Sequence, residues 1–120
     1  MPTSFQDSSN KTNPNSNTID MILTEIKQYL QELYHDQLEQ IILFGSRARG
    51  DYSPESDFDI LIVLKPEFNY WQEIEKTSDF ISTISLKFDI VVSRAFAKSN
   101  EFKQSNSPFF LNVKREGIIL

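Results

Sequence analysis

Residues 57–64 have the sequence Asp-Phe-Asp-Ile-Leu-Ile-Val-Leu, in which two acids lead into an apolar run. Aromatic and β-branched residues dominate this run, which is typical of a strand. Lys65-Pro66 ends the strand, because proline has no amide proton to donate to a neighbouring strand. The chain is therefore predicted to build a sheet in which residues 57–64 form the central strand.

Two other short segments are predicted to join this sheet. Ile41–Phe44 is a continuous apolar run that ends at Gly45, which favours a buried strand. Residues 87–92, Lys-Phe-Asp-Ile-Val-Val, are rich in β-branched residues and are predicted to form a third strand. Residues 118–120 are apolar and could add an edge strand.

Segments with helical periodicity lie before and between these strands. Apolar residues from Ile19 to Leu33 follow the spacing of one helix face, and a second helix is predicted over about residues 68–85. Ser107-Pro108 has the residue types of a helix start, and Gly117 those of a helix end. The order helix, strand, strand, helix, strand, helix predicts an α/β fold with a small mixed β-sheet flanked by helices.

The domain organisation follows from length and composition. A chain of 120 residues with 39% hydrophobic residues suffices for one compact domain. Residues 1–18 are dominated by Asn, Ser and Thr and contain too little apolar surface to offset the cost of ordering. We therefore expect a disordered tail over residues 1–18 and one domain over residues 19–120.

Composition also limits the partners. The net charge of -5 makes nucleic acid an unlikely direct ligand, because proteins that bind phosphate backbones usually carry a basic face. No apolar run has the length of a membrane span, and the first 18 residues lack the apolar core of a secretory signal. A cytoplasmic protein without a membrane partner is the expectation.

The absence of Cys and the single His restrict any metal site to carboxylate oxygens, which suit Mg²⁺. Asp57 and Asp59 project from the same face of the predicted strand, since side chains alternate. Two adjacent carboxylates repel each other, so the pair favours a bound cation. The alternative is a polar strand entrance at the rim of the sheet, with Asp57 capping a turn.

Gly45 and Ser46 follow a buried strand and are candidates for binding phosphate. Glycine lets backbone amides approach a ligand closely, and the serine adds a hydroxyl. An ordinary tight turn would have the same residues.

Asp89 is the third candidate acid, between Phe88 and Ile90 in the predicted third strand. If that strand lies beside residues 57–64, three carboxylates could hold two Mg²⁺ ions and steady a triphosphate. Asp89 could also accept the proton of an attacking hydroxyl. The alternative is a rim acid that pairs with Lys87 or Arg94.

Together these pieces match a known family. Residues 45–64, GSRARGDYSPESDFDILIVL, closely resemble the signature of DNA polymerase beta-like nucleotidyltransferases, in which Gly-Ser precedes Asp-x-Asp by ten residues. Ala48-Arg49-Gly50 and Ser56 resemble the minimal nucleotidyltransferase (MNT) branch. The resemblance covers most of residues 19–120, since the predicted order of elements also fits that small fold.

The resemblance implies a role for each matching residue. Gly45 and Ser46 would hold the phosphates of ATP, and Asp57 and Asp59 would bind Mg²⁺. Asp89 matches the family's third acid. This is the weakest of the matches, because the distance between the third acid and the motif varies within the family. Further candidates for nucleotide or loop contacts are Arg47, Arg49 and Ser56, with Ser56 favoured as a cap of the loop.

Stand-alone MNT proteins similar to this one are usually antitoxins paired with a helical HEPN protein, an RNA-cleaving toxin. The resemblance implies that AMP moves from ATP to a tyrosine of the HEPN toxin and silences it. Two alternatives stay open at this point: a nucleotidyltransferase that acts on a small molecule, and an antitoxin that occludes its partner without catalysis.

Overall fold

The computed structural model describes residues 15–65 and 67–120. The first helix, α1 (Ser16–Tyr34), begins where the Asn15 side chain accepts a hydrogen bond from the Thr18 amide at 2.8 Å. Asparagine is a favoured N-cap because it satisfies an amide that has no partner within the helix. The helix thus starts before the predicted boundary at residue 19, and the rest of the predicted tail, residues 1–14, lies outside the described residues.

Four strands of the described residues form one mixed sheet. They are β1 (Leu38–Phe44), β2 (Phe58–Leu64), β3 (Val92–Lys98) and β4 (Ile118–Ile119), arranged in the order β3-β2-β1-β4. β1 runs antiparallel to β2 and to β4, whereas β2 and β3 are parallel. The predicted fold class is confirmed, as are the central position of β2 and the edge strand after Gly117.

Within the described residues, the 3-10 helix His35–Gln37 connects α1 to β1, and four further α-helices accompany the sheet. They are α2 (Ser46–Arg49), α3 (Tyr70–Phe88), α4 (Ser99–Gln104) and α5 (Pro108–Glu116). Ser107 caps α5 by accepting from the Phe110 amide, and Pro108 occupies its first position, as predicted. α4 has no counterpart in the sequence-based prediction.

The prediction of a third strand over residues 87–92 is wrong. Lys87 and Phe88 are the last residues of α3, and β3 begins only at Val92. Phe88 continues the helical repeat of Ile81 and Ile84 and packs with them against the core. Asp89 ends the helix in the left-handed conformation, with φ of 55°. Its alternation with Phe88 and Ile90 is therefore not that of a strand.

β2 is buried on both faces, and its alternation decides which side chains reach which layer. Phe58 and Ile60 face α1 and α3, whereas Leu61 and Val63 face α4 and α5. All four are fully buried. Asp59 has the parity of Leu61, so it lies on the face that α4 and α5 cover further along the strand. Across the described parts of the chain, none of the helices has the length and hydrophobicity to cross a membrane.

Candidate active site

Asp57 and Asp59, hereafter the acid pair, lie at the entrance of β2. Asp57 is exposed directly before the strand, and Asp59 is half-buried within it. Asp59 lies opposite Phe44 of β1 and Ser93 of β3. Burial, and then the charge of Asp57, raises the pKa of Asp59 above its usual range. The two carboxylates therefore interact, as their spacing predicts.

Gly45 brings the first part of the motif against the acid pair. Its φ of 76° and ψ of -159° belong to a region that only glycine occupies readily. A Cβ at this position would overlap the carboxylate of Asp59. Glycine is thus required at position 45 for two reasons, the conformation of the turn and the close approach of the Asp59 carboxylate. Ser46 follows at once and begins α2, which places it at the same end of the sheet.

Arg47 occupies an unexpected position for a predicted nucleotide-binding residue. It is only 7% exposed, and burial lowers the pKa of its guanidinium. The guanidinium donates to the carbonyls of Ser56 and Pro54 at 3.2 Å and lies 4.5 and 4.3 Å from the ring centroids of Tyr52 and Phe58. These hydrogen bonds occupy Nε and one terminal nitrogen of the guanidinium, and the described hydrogen bonds include none from its second terminal nitrogen. Arginine with aromatic residues 5 and 11 positions later is too weak a pattern to predict this packing.

The other polar residues of the motif organise its surface. The Ser56 hydroxyl accepts from the Ser53 amide at 2.9 Å, and the Ser56 amide donates to the Ser53 carbonyl at 3.0 Å. Ser56 thus caps the motif loop, defined here as residues 50–57 between α2 and β2. Arg49 forms exposed ion pairs with Asp51 and Glu116 at 3.3 and 3.7 Å. Nucleotide contacts by Ser56 and Arg49 stay predictions.

Asp89 lies at the same end of the sheet as the acid pair but in a turn. β2 and β3 are parallel, and the Phe58 amide donates to the Val91 carbonyl at 2.9 Å, so the turn before β3 lies beside the motif loop. Residues 54–56 and 89–91 line a cavity of about 220 Å³ between these segments. Over the described residues, no three acidic or other ligating side chains converge as a metal site would require. The structure thus brings together two of the three predicted acids.

The two carboxylates of the acid pair could hold a divalent metal ion if a bound ligand supplied the remaining coordination. Neither carboxylate forms an ion pair with a Lys or Arg of residues 15–65 and 67–120. Two adjacent carboxylates without a protein counter-ion favour a cation. Mg²⁺ is commonly held by one or two carboxylates together with water and the phosphates of a substrate. Asp57 and Asp59 fit this requirement without a third acid.

Known proteins share this motif and fold. The family model of the nucleotidyltransferase domain matches residues 23–112. A protein of Methanocaldococcus jannaschii, named as a candidate protein adenylyltransferase, is 38% identical over 97 residues, which cover 81% of this chain and 93% of the relative.

Two solved structures have the same fold. A candidate nucleotidyltransferase from Sulfolobus solfataricus is 27% identical with a TM-score of 0.59, over 82% of this chain and 76% of the other. A toxin–antitoxin structure with AMP-PNP aligns at a TM-score of 0.56 and 18% identity, over 82% of this chain and 70% of that one.

Proposed function

The chain belongs to the nucleotidyltransferase domain family, and we propose that it transfers AMP from ATP to a tyrosine of a partner protein, a HEPN-type toxin, and thereby neutralises it. The observation that carries the proposal is the acid pair. Its Asp59 carboxylate lies against Gly45 near the start of a buried strand, and no Lys or Arg of the described residues pairs with either acid.

The proposed reaction replaces one bond to phosphorus by another. The tyrosine oxygen bonds to the α-phosphorus of ATP, the bond from that phosphorus to the bridging oxygen breaks, and pyrophosphate leaves. Mg²⁺, two ions in the proposed complex, would neutralise the charge on the phosphate oxygens. Asp57 and Asp59 would hold the metal, and Gly45 and Ser46 would approach the phosphates from the end of β1. Positioning and charge supply most of the catalysis in such reactions.

A protein acceptor is favoured by three observations. The M. jannaschii relative is named as an enzyme that modifies protein, and it matches nearly its full length. The fold occurs in a toxin–antitoxin structure that contains a nucleotide analogue. The net charge of -5 also suits a basic partner such as an RNA-cleaving protein.

Asp89 is the proposed general base for the tyrosine hydroxyl, whose ordinary pKa is about 10. Its turn borders the motif loop, which places it within the same end of the domain. Asp89→Asn should keep nucleotide binding and slow transfer by roughly 10²–10⁴-fold, the usual contribution of a general base. An unchanged single-turnover rate would remove Asp89 from the chemistry.

Labelled ATP tests the proposed function directly. With Mg²⁺ and a co-purified HEPN-type partner, α-labelled ATP should leave label on the partner, and γ-labelled ATP should leave none, because pyrophosphate carries the γ-phosphate away. A kinase would give the opposite result. Label on a small molecule would show that the acceptor is not a protein. Inhibition of the partner without label would show that the chain neutralises it by occlusion and not by catalysis.

A further inference from the structure

The motif loop is held from inside by one side chain. Arg47 points into the loop, where its Nε and one terminal nitrogen donate to the carbonyl of Ser56 at 3.3 and 3.2 Å. The same terminal nitrogen donates to the carbonyl of Pro54 at 3.2 Å. Its guanidinium carbon lies over the rings of Tyr52 and Phe58. One planar group thus contacts four residues of the loop and strand that carry the acid pair.

These contacts bracket Asp57. Ser56 is the residue immediately before it, and Phe58 is the residue immediately after it. Phe58 is fully buried on the face opposite to the acid pair, since side chains alternate along β2. Fixing the Ser56 carbonyl and the Phe58 ring therefore fixes the direction in which Asp57 leaves the backbone, and with it the separation of the two carboxylates.

We propose that Arg47 is a positioning residue for the acid pair: its guanidinium holds the motif loop so that Asp57 and Asp59 face the same metal ion, and it does not contact the nucleotide. The inference rests on the proposed function, because it assigns a purpose to the orientation of those carboxylates. No carboxylate of the described residues pairs with Arg47. Its partners are neutral carbonyls and aromatic faces, which suit a planar cation and do not neutralise the charge of the acid pair.

Arg47→Lys tests the shape of the side chain, because lysine keeps the charge but cannot reproduce the planar fork. Arg94→Lys is the matched control. Arg94 also donates from its guanidinium to a backbone carbonyl, that of Ile74 at 2.7 Å, and to the Thr77 hydroxyl at 2.7 Å. It is bonded to α3 rather than to the motif loop. Both variants remove an arginine that donates to a backbone carbonyl, and only Arg47 contacts the motif loop.

The readouts use the isolated protein: binding of Mn²⁺ alone, binding of ATP with and without metal, and hydrogen exchange of backbone amides 51–59. Arg47→Lys should weaken Mn²⁺ binding by roughly 10–100-fold, the usual effect of losing a group that orients metal ligands. It should also speed amide exchange in the motif loop. Arg94→Lys should lower the melting temperature and leave both the Mn²⁺ affinity and the loop exchange unchanged.

Two results would overturn the inference. The first is an Arg47→Lys variant that loses thermal stability but keeps the Mn²⁺ affinity and loop exchange of the wild type. The second is a loss of metal-free ATP binding as large as the loss with metal, which would show direct contact with phosphate. If the wild type binds Mn²⁺ neither alone nor together with ATP, the metal component of the proposed function fails, and the loop exchange then decides the role of Arg47.

Discussion

Two polar regions of this domain, the core cluster and the acid pair, differ in whether their charged side chains are paired. In the core, the polar cluster of Tyr34, Glu73, Thr77 and Arg94 joins α1, α3 and β3. The Tyr34 hydroxyl donates to Glu73 at 2.8 Å, and Lys76 lies 3.4 Å from the same carboxylate. Arg94 donates to the Thr77 hydroxyl at 2.7 Å. Burial, and then the bond to Glu73, raises the pKa of Tyr34.

At the acid pair, by contrast, no Lys or Arg of residues 15–65 and 67–120 pairs with the negative charge. Glu73 is 3% exposed and has a partner for its charge, whereas the half-buried Asp59 faces a second carboxylate. Buried polar groups are ordinarily paired because an unpaired group costs folding free energy. Asp57 is exposed and Asp59 only half-buried, so water reaches the acid pair, and a bound cation would relieve the repulsion between its carboxylates. The core cluster shows that the same chain pairs a fully buried charge.

The largest expected effect comes from removing the unpaired charge. Asp57→Ala combined with Asp59→Ala should abolish transfer of label from α-labelled ATP, because no metal ligands then remain at the entrance of β2. The fold should survive, since the change removes two mutually repelling charges. Partner labelling and a urea unfolding curve measure the two effects. Persisting label would show that the acid pair is not the site.

Gly45→Ala compared with Gly50→Ala tests whether the position of Asp59 matters. Both glycines have positive φ, 76° and 88°, so each alanine should cost stability through the backbone. The cost should be about 1–2 kcal/mol at Gly50, which is left-handed, and about 1–3 kcal/mol at Gly45, which lies in the region that only glycine occupies readily. Only at Gly45 does the new Cβ overlap the Asp59 carboxylate, whereas at Gly50 it meets open space. Transfer should fall by roughly 10²-fold for Gly45→Ala, the cost of a displacement of about 1 Å. Equal rates in the two variants would contradict this geometry.

Tyr34→Phe should have the opposite combination of effects, a lower stability with an unchanged rate of transfer. It removes the hydroxyl that donates to Glu73 and leaves a buried carboxylate with fewer partners, which should cost about 1–3 kcal/mol of unfolding free energy. The rate of AMP transfer should not change, because the core cluster has no contact with the motif loop among the described hydrogen bonds. Urea unfolding and a transfer assay on the same sample separate the two quantities. A slower AMP transfer without a loss of stability would contradict the assignment of the core cluster to stability and of the acid pair to transfer.

The smallest expected effect is a dependence on pH. Because the pKa of Asp59 is raised in the folded state, the folded protein takes up this proton before the unfolded chain as the pH falls. The contribution of Asp59 to the free energy of unfolding is therefore greatest below about pH 4, the pKa of the unfolded chain. This contribution is lost as the pH rises through the pKa of the folded state. Asp59→Asn should then be more stable than the wild type at pH 7, and the difference should disappear in acid. A constant difference across thermal unfolding at several pH values would disprove the burial of this charge.

Several features of the site follow from local pattern alone. The alternation over residues 57–64 predicts that Asp57 and Asp59 lie on one face, and that prediction depends only on the backbone repeat of a strand. Ser107, Pro108 and Gly117 marked the limits of α5, because caps are local chemistry. The mixed sheet followed from the order of the elements, and the spacing of Gly45-Ser46 from the acid pair was sufficient to identify the family.

Tertiary structure decided the positions of Asp89 and Arg47. Lys-Phe-Asp-Ile-Val-Val has the composition of a strand, yet Phe88 packs with Ile81 and Ile84 against the core and extends α3 to that residue. Asp89 therefore lies in a turn, where long-range packing rather than local preference placed it. Arg47 turns inward because the rings of Tyr52 and Phe58 and two loop carbonyls converge on it. Such convergence joins residues that are apart in the chain, so no local repeat in the sequence encodes it.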